Sequence, residues 1–178
     1  MAIGRRKILI GALGGAAGLS GLGRRACAFA TEAQALSLYH LHTGETLRAV
    51  YRERGELIRA ALDEINHFLR DFRNEQLHEI DVGLLDELYK LHAAFGGRGH
   101  FEVISGYRSP QTNEALRHRS TGVAKDSFHL SGRAIDVRLT SAETDKLRDA
   151  AIALRAGGVG YYAQSNFVHI DTGAFRTW

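Results

Sequence analysis

The chain has 178 residues, enough for one compact domain and too few for several. Its formal charge of +3 comes from the first thirty residues, which hold five of the 23 Lys and Arg and none of the 20 Asp and Glu, so residues 31–178 carry −2. The basic character therefore gives no grounds for a nucleic-acid partner.

Residues 1–30 have the layout of a secretory signal peptide. A basic start (Arg5, Arg6, Lys7) precedes a Gly- and Ala-rich apolar run from Ile8 to Gly23, and Ala28-Phe29-Ala30 supplies a small-residue cleavage site. The run is short and Gly-rich for a bilayer span, so no stable membrane anchor is expected after its removal. Arg5-Arg6-x-Ile8-Leu9 favours the twin-arginine route. The mature chain is expected to start at Thr31 and to lie in the periplasm. The single cysteine, Cys27, leaves with the leader, so no disulfide can staple the mature domain; its core must hold it.

Ala35 to Tyr51 reads as a β-hairpin around Thr43-Gly44-Glu45, with His40 and His42 as exposed strand residues. Glu56 to Arg73 has helical apolar spacing (Leu57, Ile58, Ala61, Leu62, Ile65, Phe68, Leu69, Phe72) and leaves His67 in solvent. Asp81 caps a second helix that Gly96-Gly97 ends, with His92 at its boundary. Phe101 to Ser105 is a strand, and Ser109-Pro110 starts a helix. Thr140 and Glu143 fit a capping box opening a further helix, with Ala150, Ala151, Ile152 and Leu154 inward and Gly157-Gly158 at its end. Separate hairpin, helices and late strands, without regular βαβ alternation, predict an α+β domain over residues 31–178: a central, mainly antiparallel sheet with packed helices.

Two late segments carry the candidate chemistry. Ala134 to Leu139 alternates as a strand, with Ile135, Val137 and Leu139 on a core face and Asp136 on the other. Phe167 to Asp171 alternates likewise, and places His169 and Asp171 opposite Val168 and Ile170. His129, just before the Ser131-Gly132 turn, folds back toward the first strand. If the strands are neighbours, His129, Asp136 and His169 converge. Imidazole nitrogen and carboxylate oxygen are the donors of catalytic zinc sites, where three protein ligands leave a position open. Ordinary polar residues on half-buried strands would give the same spacing.

Ser-x-His-x-x-Gly-x-Ala-x-Asp, from Ser127 to Asp136, resembles the signature of the M15 zinc peptidases, which cleave peptidoglycan peptides. Ile104-Ser105-Gly106-Tyr107-Arg108-Ser109 resembles that family's upstream motif, whose arginine lies in the substrate site. Gly157-Gly158-Val159-Gly160-Tyr161-Tyr162 followed by Phe167 to Gly173 is similar to its DUF882 branch. The likeness runs from about His42 to Trp178. It implies a hedgehog/D-Ala-D-Ala-peptidase-like fold, Zn2+ on His129, Asp136 and His169, and a periplasmic murein endopeptidase acting on the stem peptides and crosslinks of peptidoglycan.

Arg108 then stabilises an oxyanion or holds a substrate carboxylate, a task its planar fork suits. Ser127 supports the metal ligands or the substrate. Many family members carry a basic Glu three residues before the last ligand, and others a His two residues before it. Asn166 and Phe167 stand there, and neither can take a proton. Asp171 is the local substitute as base, or else it orients a metal-bound histidine. Three alternatives remain at this stage: a D-Ala-D-Ala-type carboxypeptidase, a non-catalytic peptidoglycan-binding protein that keeps the metal fold, and a metal-free serine hydrolase using Ser105 or Ser127. The last lacks a G-x-S-x-G elbow.

Overall fold

A computed structural model describes residues 33–119 and 122–178; the leader and the expected start at Thr31 lie outside the described residues. The strands are β1 (Gln34–His40), β2 (Thr46–Glu53), β3 (Glu56–Leu57), β4 (Phe101–Ser105), β5 (Ala134–Leu139), β6 (Gly158–Tyr162), β7 (Phe167–Asp171) and β8 (Arg176–Thr177). The helices are α1 (Arg59–Phe68), α2 (Val82–Ala94), α3 (Pro110–Arg119) and α4 (Thr144–Leu154). The strands form one sheet in the order β3-β2-β1-β4-β5-β7-β6-β8. Only the β1–β4 and β6–β8 pairs are parallel, so the sheet is mainly antiparallel, as expected for the α+β class.

Alternation decides the two faces. Leu36 and Leu38 of β1, Phe101 and Val103 of β4, Ile135, Val137 and Leu139 of β5, and Val168 and Ile170 of β7 form one buried layer. Against it lie Ala61, Ile65 and Phe68 of α1, Leu84, Leu85, Leu88 and Leu91 of α2, and Leu147 and Ala151 of α4. Burying each such large side chain contributes about 1.5–3 kcal/mol, enough to fix which face of every strand is left for function.

Several local expectations change. Helix α1 starts at Arg59 and not at Glu56, because Glu56–Leu57 pairs with Arg52 and Glu53 of β2. It ends at Phe68 because buried Asp71 organises a turn, accepting hydrogen bonds from the N–H of Arg73 (3.1 Å) and of Ser109 (2.9 Å). That turn seats the loop after β4: Tyr107 N–H donates to Leu69 O at 2.8 Å, and Gly106 passes so near Leu69 that a Cβ would lie 2.7 Å from its carbonyl oxygen. Thr140 and Glu143 make no capping box. Glu143 is the N-cap of α4 without a side-chain bond, while Thr140 Oγ1 accepts from His100 N–H at 3.0 Å and so ties the end of β5 to the start of β4. Leu154 is exposed and Leu147 takes its core place. Arg155, in the left-handed region at φ 51°, ends α4 ahead of the two glycines.

His40 is fully buried, not exposed as the alternation suggested. Its Nδ1 accepts from the N–H groups of His42 (3.2 Å) and Thr43 (3.4 Å), and the rings of Phe68 and Phe72 enclose it. Burial holds its pKa down at about 4, so it is a neutral core residue.

Glu87 of α2 is buried, and among the described residues neither carboxyl oxygen has a hydrogen-bond partner. Burial, with a smaller push from Asp171, raises its pKa from 4.5 to about 7. The folded state therefore binds a proton that the unfolded chain has lost between these values, and stability falls as pH rises through that window. Glu87→Gln, neutral throughout, is expected to melt about 2 °C above the parent at pH 5 and about 10 °C above it at pH 8. Thermal melts at the two pH values check this; an equal change at both would mean that ionisation of Glu87 is not the cause.

Candidate metal centre

Cross-strand register assembles the site. On the face away from the core, Asp136 of β5 lies directly opposite His169 of β7, and Ser105 of β4 lies opposite Asp136. Ser105 reaches that face through a register shift after Val103, since Val103 still faces the core opposite Val137. Bulges re-aim side chains in this way. Alternation alone would have put Ser105 with Phe101 and Val103, so the sequence carries no signal for it.

His129 comes from a short 3-10 turn, Phe128–Ser131. Ser127 caps that turn, its side chain accepting from His129 N–H at 3.4 Å, and Gly132 ends it at φ 65°. A Cβ on Gly132 would run into the carbonyl oxygen of Glu79, so glycine is required there on two counts. The turn folds His129 back over β5, as its place before Ser131-Gly132 suggested. His129 Nε2 lies 3.3 Å from Asp136 Oδ2, and His169 Nδ1 lies 2.8 Å from Asp136 Oδ1. One donor atom from each of the three residues falls within 4.8 Å of the others.

The remaining nitrogens show what the cluster is suited to. His129 Nδ1 donates to the carbonyl of Gly106 at 2.7 Å, so its Nε2 is free to present a lone pair. His169 Nε2 donates to Asp171 Oδ2 at 3.1 Å, leaving Nδ1 toward the cluster. Histidines that ligate metals are held this way, the second ring nitrogen bound to a carbonyl or carboxylate. The donor set fits a small divalent cation. Burial opposes a charge on His169, but its bonds to Asp136 and Asp171 outweigh it and raise its pKa to about 9. A proton on His169 thus stands in for a cation between the two carboxylates. Burial would push Asp136 up, yet both histidines hold it far below the usual carboxylate range.

Asp171 is fully buried behind His169. Besides the imidazole it accepts two bonds from Arg176, at 3.0 and 2.6 Å, and one from Gly173 N–H at 2.8 Å. These bonds overcome burial and keep it ionised. It does not line the cavity.

A cavity of about 390 Å³ opens over the cluster. Arg108, Ser127, His129, Asp136 and His169 line it, together with Asp126, Tyr162, Phe167, Arg176 and Trp178. Among the described residues, its acids are Asp136 and the exposed rim residue Asp126. Arg108 is 9% exposed, yet among the described residues its guanidinium has only long contacts: Asn113 Oδ1 at 3.4 Å, Ser105 Oγ at 3.5 Å and Asp136 Oδ2 at 3.9 Å, with Nε unpartnered. Asn166 is exposed at φ 52° in the turn before β7, and its side chain accepts from Thr144 Oγ1 at 2.6 Å. Phe167 stacks on Tyr162 at 4.6 Å on the cavity wall.

Sequence reasoning missed Arg176 and Trp178. The signal was the spacing Gly158-x-Gly160 beside Arg176-x-Trp178. Gly158 pairs with Arg176 and faces Asp171, while Gly160 faces His169. With no side chain at positions 158 and 160 of β6, Arg176 and Trp178 can lean across that strand into the site.

The family described as Peptidoglycan L,D-endopeptidase MepK matches residues 28–178. The protein of that name from Escherichia coli K12 is 47% identical over 178 residues, 98% of this chain and 96% of its own. Its namesake from Shigella flexneri aligns with the same identity and coverage. A probable peptidoglycan L,D-endopeptidase MepK from Haemophilus influenzae is 41% identical over 144 residues, 80% of this chain and 77% of its own. The family match spans every element that carries the site, and the chain belongs to the M15-type peptidase family of MepK.

Proposed function

We infer that this protein is a zinc-dependent murein endopeptidase that hydrolyses peptide crosslinks of peptidoglycan, those of the L,D type. The observation that carries the reading is the cluster of His129, Asp136 and His169 beneath a cavity that also holds a buried, poorly partnered arginine. Membership in the MepK family supports the substrate and the crosslink type.

His129 Nε2, His169 Nδ1 and an Asp136 oxygen would hold the zinc. Zinc supplies Lewis acidity toward a peptide carbonyl and brings the pKa of a water near neutrality. The chain's own groups do the rest. Gly106 O and Asp171 fix the two imidazoles in the ligating tautomer and orientation. Asp171 acts through His169 and not on substrate, because it is sealed from the cavity. Arg108 has unused donors and a charge that burial disfavours, so a carboxylate or developing oxyanion of the substrate gives it the partner it lacks. Ser127 holds the turn of His129 while lining the cavity.

Peptidoglycan lies outside the cytoplasmic membrane, so this function places the protein in the periplasm, exported by the leader of residues 1–30 through the twin-arginine route. No helix among the described residues is long and apolar enough to cross a membrane.

Purified protein is expected to hold about one zinc and to lose activity with a chelator. His129→Ala, Asp136→Ala and His169→Ala should each abolish both, and full zinc occupancy in both histidine variants, measured by mass spectrometry, would refute the site. Asp171→Asn should weaken metal affinity roughly ten- to a hundredfold, with activity restored by excess zinc. Loss of turnover at full metal occupancy would instead make Asp171 the base.

Arg108→Ala should keep its zinc and release crosslink products from sacculi at a rate lower by about a hundredfold or more. Unchanged turnover would remove Arg108 from the chemistry.

A further inference from the structure

We propose that Trp178 is a substrate-contacting residue: with Tyr162 and Phe167 it forms an aromatic wall that holds the crosslinked peptide on the side of the metal ligands opposite Arg108, so that the substrate lies across the strands. The proposal rests on the endopeptidase reading above and adds the direction of the substrate and the residue that receives its second arm.

Strand order supplies the direction. Along one row across the sheet stand Ser105 of β4, Asp136 of β5, His169 of β7 and Gly160 of β6, and the indole of Trp178 lies against Gly160. Arg108 follows β4 and contacts Ser105 and Asp136, at one end of the row. Trp178 follows β8 beyond β6, at the other end. Neighbouring strands are about 4.8 Å apart, so Ser105 and Gly160, three strand intervals from each other, stand about 14 Å apart, a span of roughly four extended residues that crosses the ligands. A chain lying along the strands would meet one of them and miss the other.

The indole is positioned for this. Its Nε1 donates to Tyr162 Oη at 3.0 Å, its ring centroid lies 5.3 Å from that of His169, and the Arg176 guanidinium lies 4.9 Å from the ring. Tyr162 stacks in turn on Phe167. Although so held, Trp178 is 51% exposed and lines the cavity. A large aromatic surface ordered by its own contacts and left open beside a metal cluster binds planar amides and aliphatic stems at little entropic cost. Gly160 makes the arrangement possible, since a Cβ there would lie 2.6 Å from the indole.

Trp178 is the sole tryptophan, so its fluorescence reports the wall without a label. The test mixes the zinc-loaded protein rapidly with a disaccharide-peptide dimer joined by an L,D crosslink, purified from sacculi, and follows emission and cleavage together. Emission is expected to change in a saturable phase before turnover. Trp178→Ala should keep zinc and raise KM about tenfold with kcat within about twofold, and Trp178→Phe should recover most of the loss. Gly160→Ala, which displaces the indole without removing it, should reproduce the higher KM. With Arg108→Ala, the fold-changes in dimer affinity should multiply, as for separate subsites. Unchanged emission together with unchanged KM in Trp178→Ala would overturn the proposal while leaving the endopeptidase reading intact. So would lowered zinc content or kcat at constant KM, which mark a purely structural role. If the parent protein fails to cleave the dimer, the endopeptidase reading falls, and the emission titration still decides whether Trp178 meets the peptide.

Discussion

The site depends on the ladder between β5 and β7. Asp136 faces His169 because Val137 faces Val168 and Ile135 faces Ile170, and those aliphatic residues are locked into the core under α2 and α4. A one-residue slip would turn every side chain of a strand to the other face. It would bury Asp136 in the apolar layer, at a cost of several kcal/mol for an unpaired charge. The core thus keeps Asp136 and His169 in register, and the hydrophobic pattern that folds the chain also aligns the candidate site. The third ligand needs another device, the capped turn closed by Gly132, because no ladder reaches Phe128–Ser131.

The sheet edge adds a second layer of control. Side chains at positions 158 and 160 of β6 would have blocked approach from β8, but Gly158 and Gly160 leave that part of the face open, with Tyr162 beyond it. Arg176 crosses over one glycine to neutralise Asp171, and Trp178 crosses over the other to reach His169. His169 is therefore braced from both sides. A long charge relay forms: Arg176, Asp171, His169, Asp136, His129. Its carboxylates alternate with cationic or ligating groups, so the two buried acids can stay ionised at little cost.

Much of this was legible in the sequence. The strands at 134–139 and 167–171 alternate cleanly because one face is core and the other site, and the hairpin, α2 and the Ser109-Pro110 start follow local chemistry. What was not legible depends on contacts distant in the chain. The bulge that turns Ser105 toward Asp136 arises in pairing with β5. The loss of the capping box arises because Thr140 meets His100, forty residues earlier. His40 lies on an apparent half-exposed strand but is enclosed by Phe68 and Phe72 of a later segment. The seat of Arg108 depends on Asp71, thirty-eight residues before Ser109. In each case the deciding contact comes from a part of the chain that no window of local sequence contains.

Two arginines on the cavity wall show how hydrogen-bond accounting separates structure from function. Arg176 is half exposed, yet its bidentate pair with Asp171 satisfies it. Arg108 is nearly buried, and its best contacts are 3.4 Å or longer. A buried guanidinium held by long contacts alone is incompletely compensated for its lost hydration. Packing against the Asp71 turn and the helix started by Ser109 holds it there regardless, within reach of Asp136 and open to the cavity. In the function proposed above, an incoming carboxylate or oxyanion would relieve that cost, whereas a group meeting Arg176 would first have to compete with Asp171. On the proposed reading, the same side-chain chemistry serves as a brace at one end of the His129, Asp136 and His169 cluster and as a receptor at the other, and the difference lies in which partner the fold supplies.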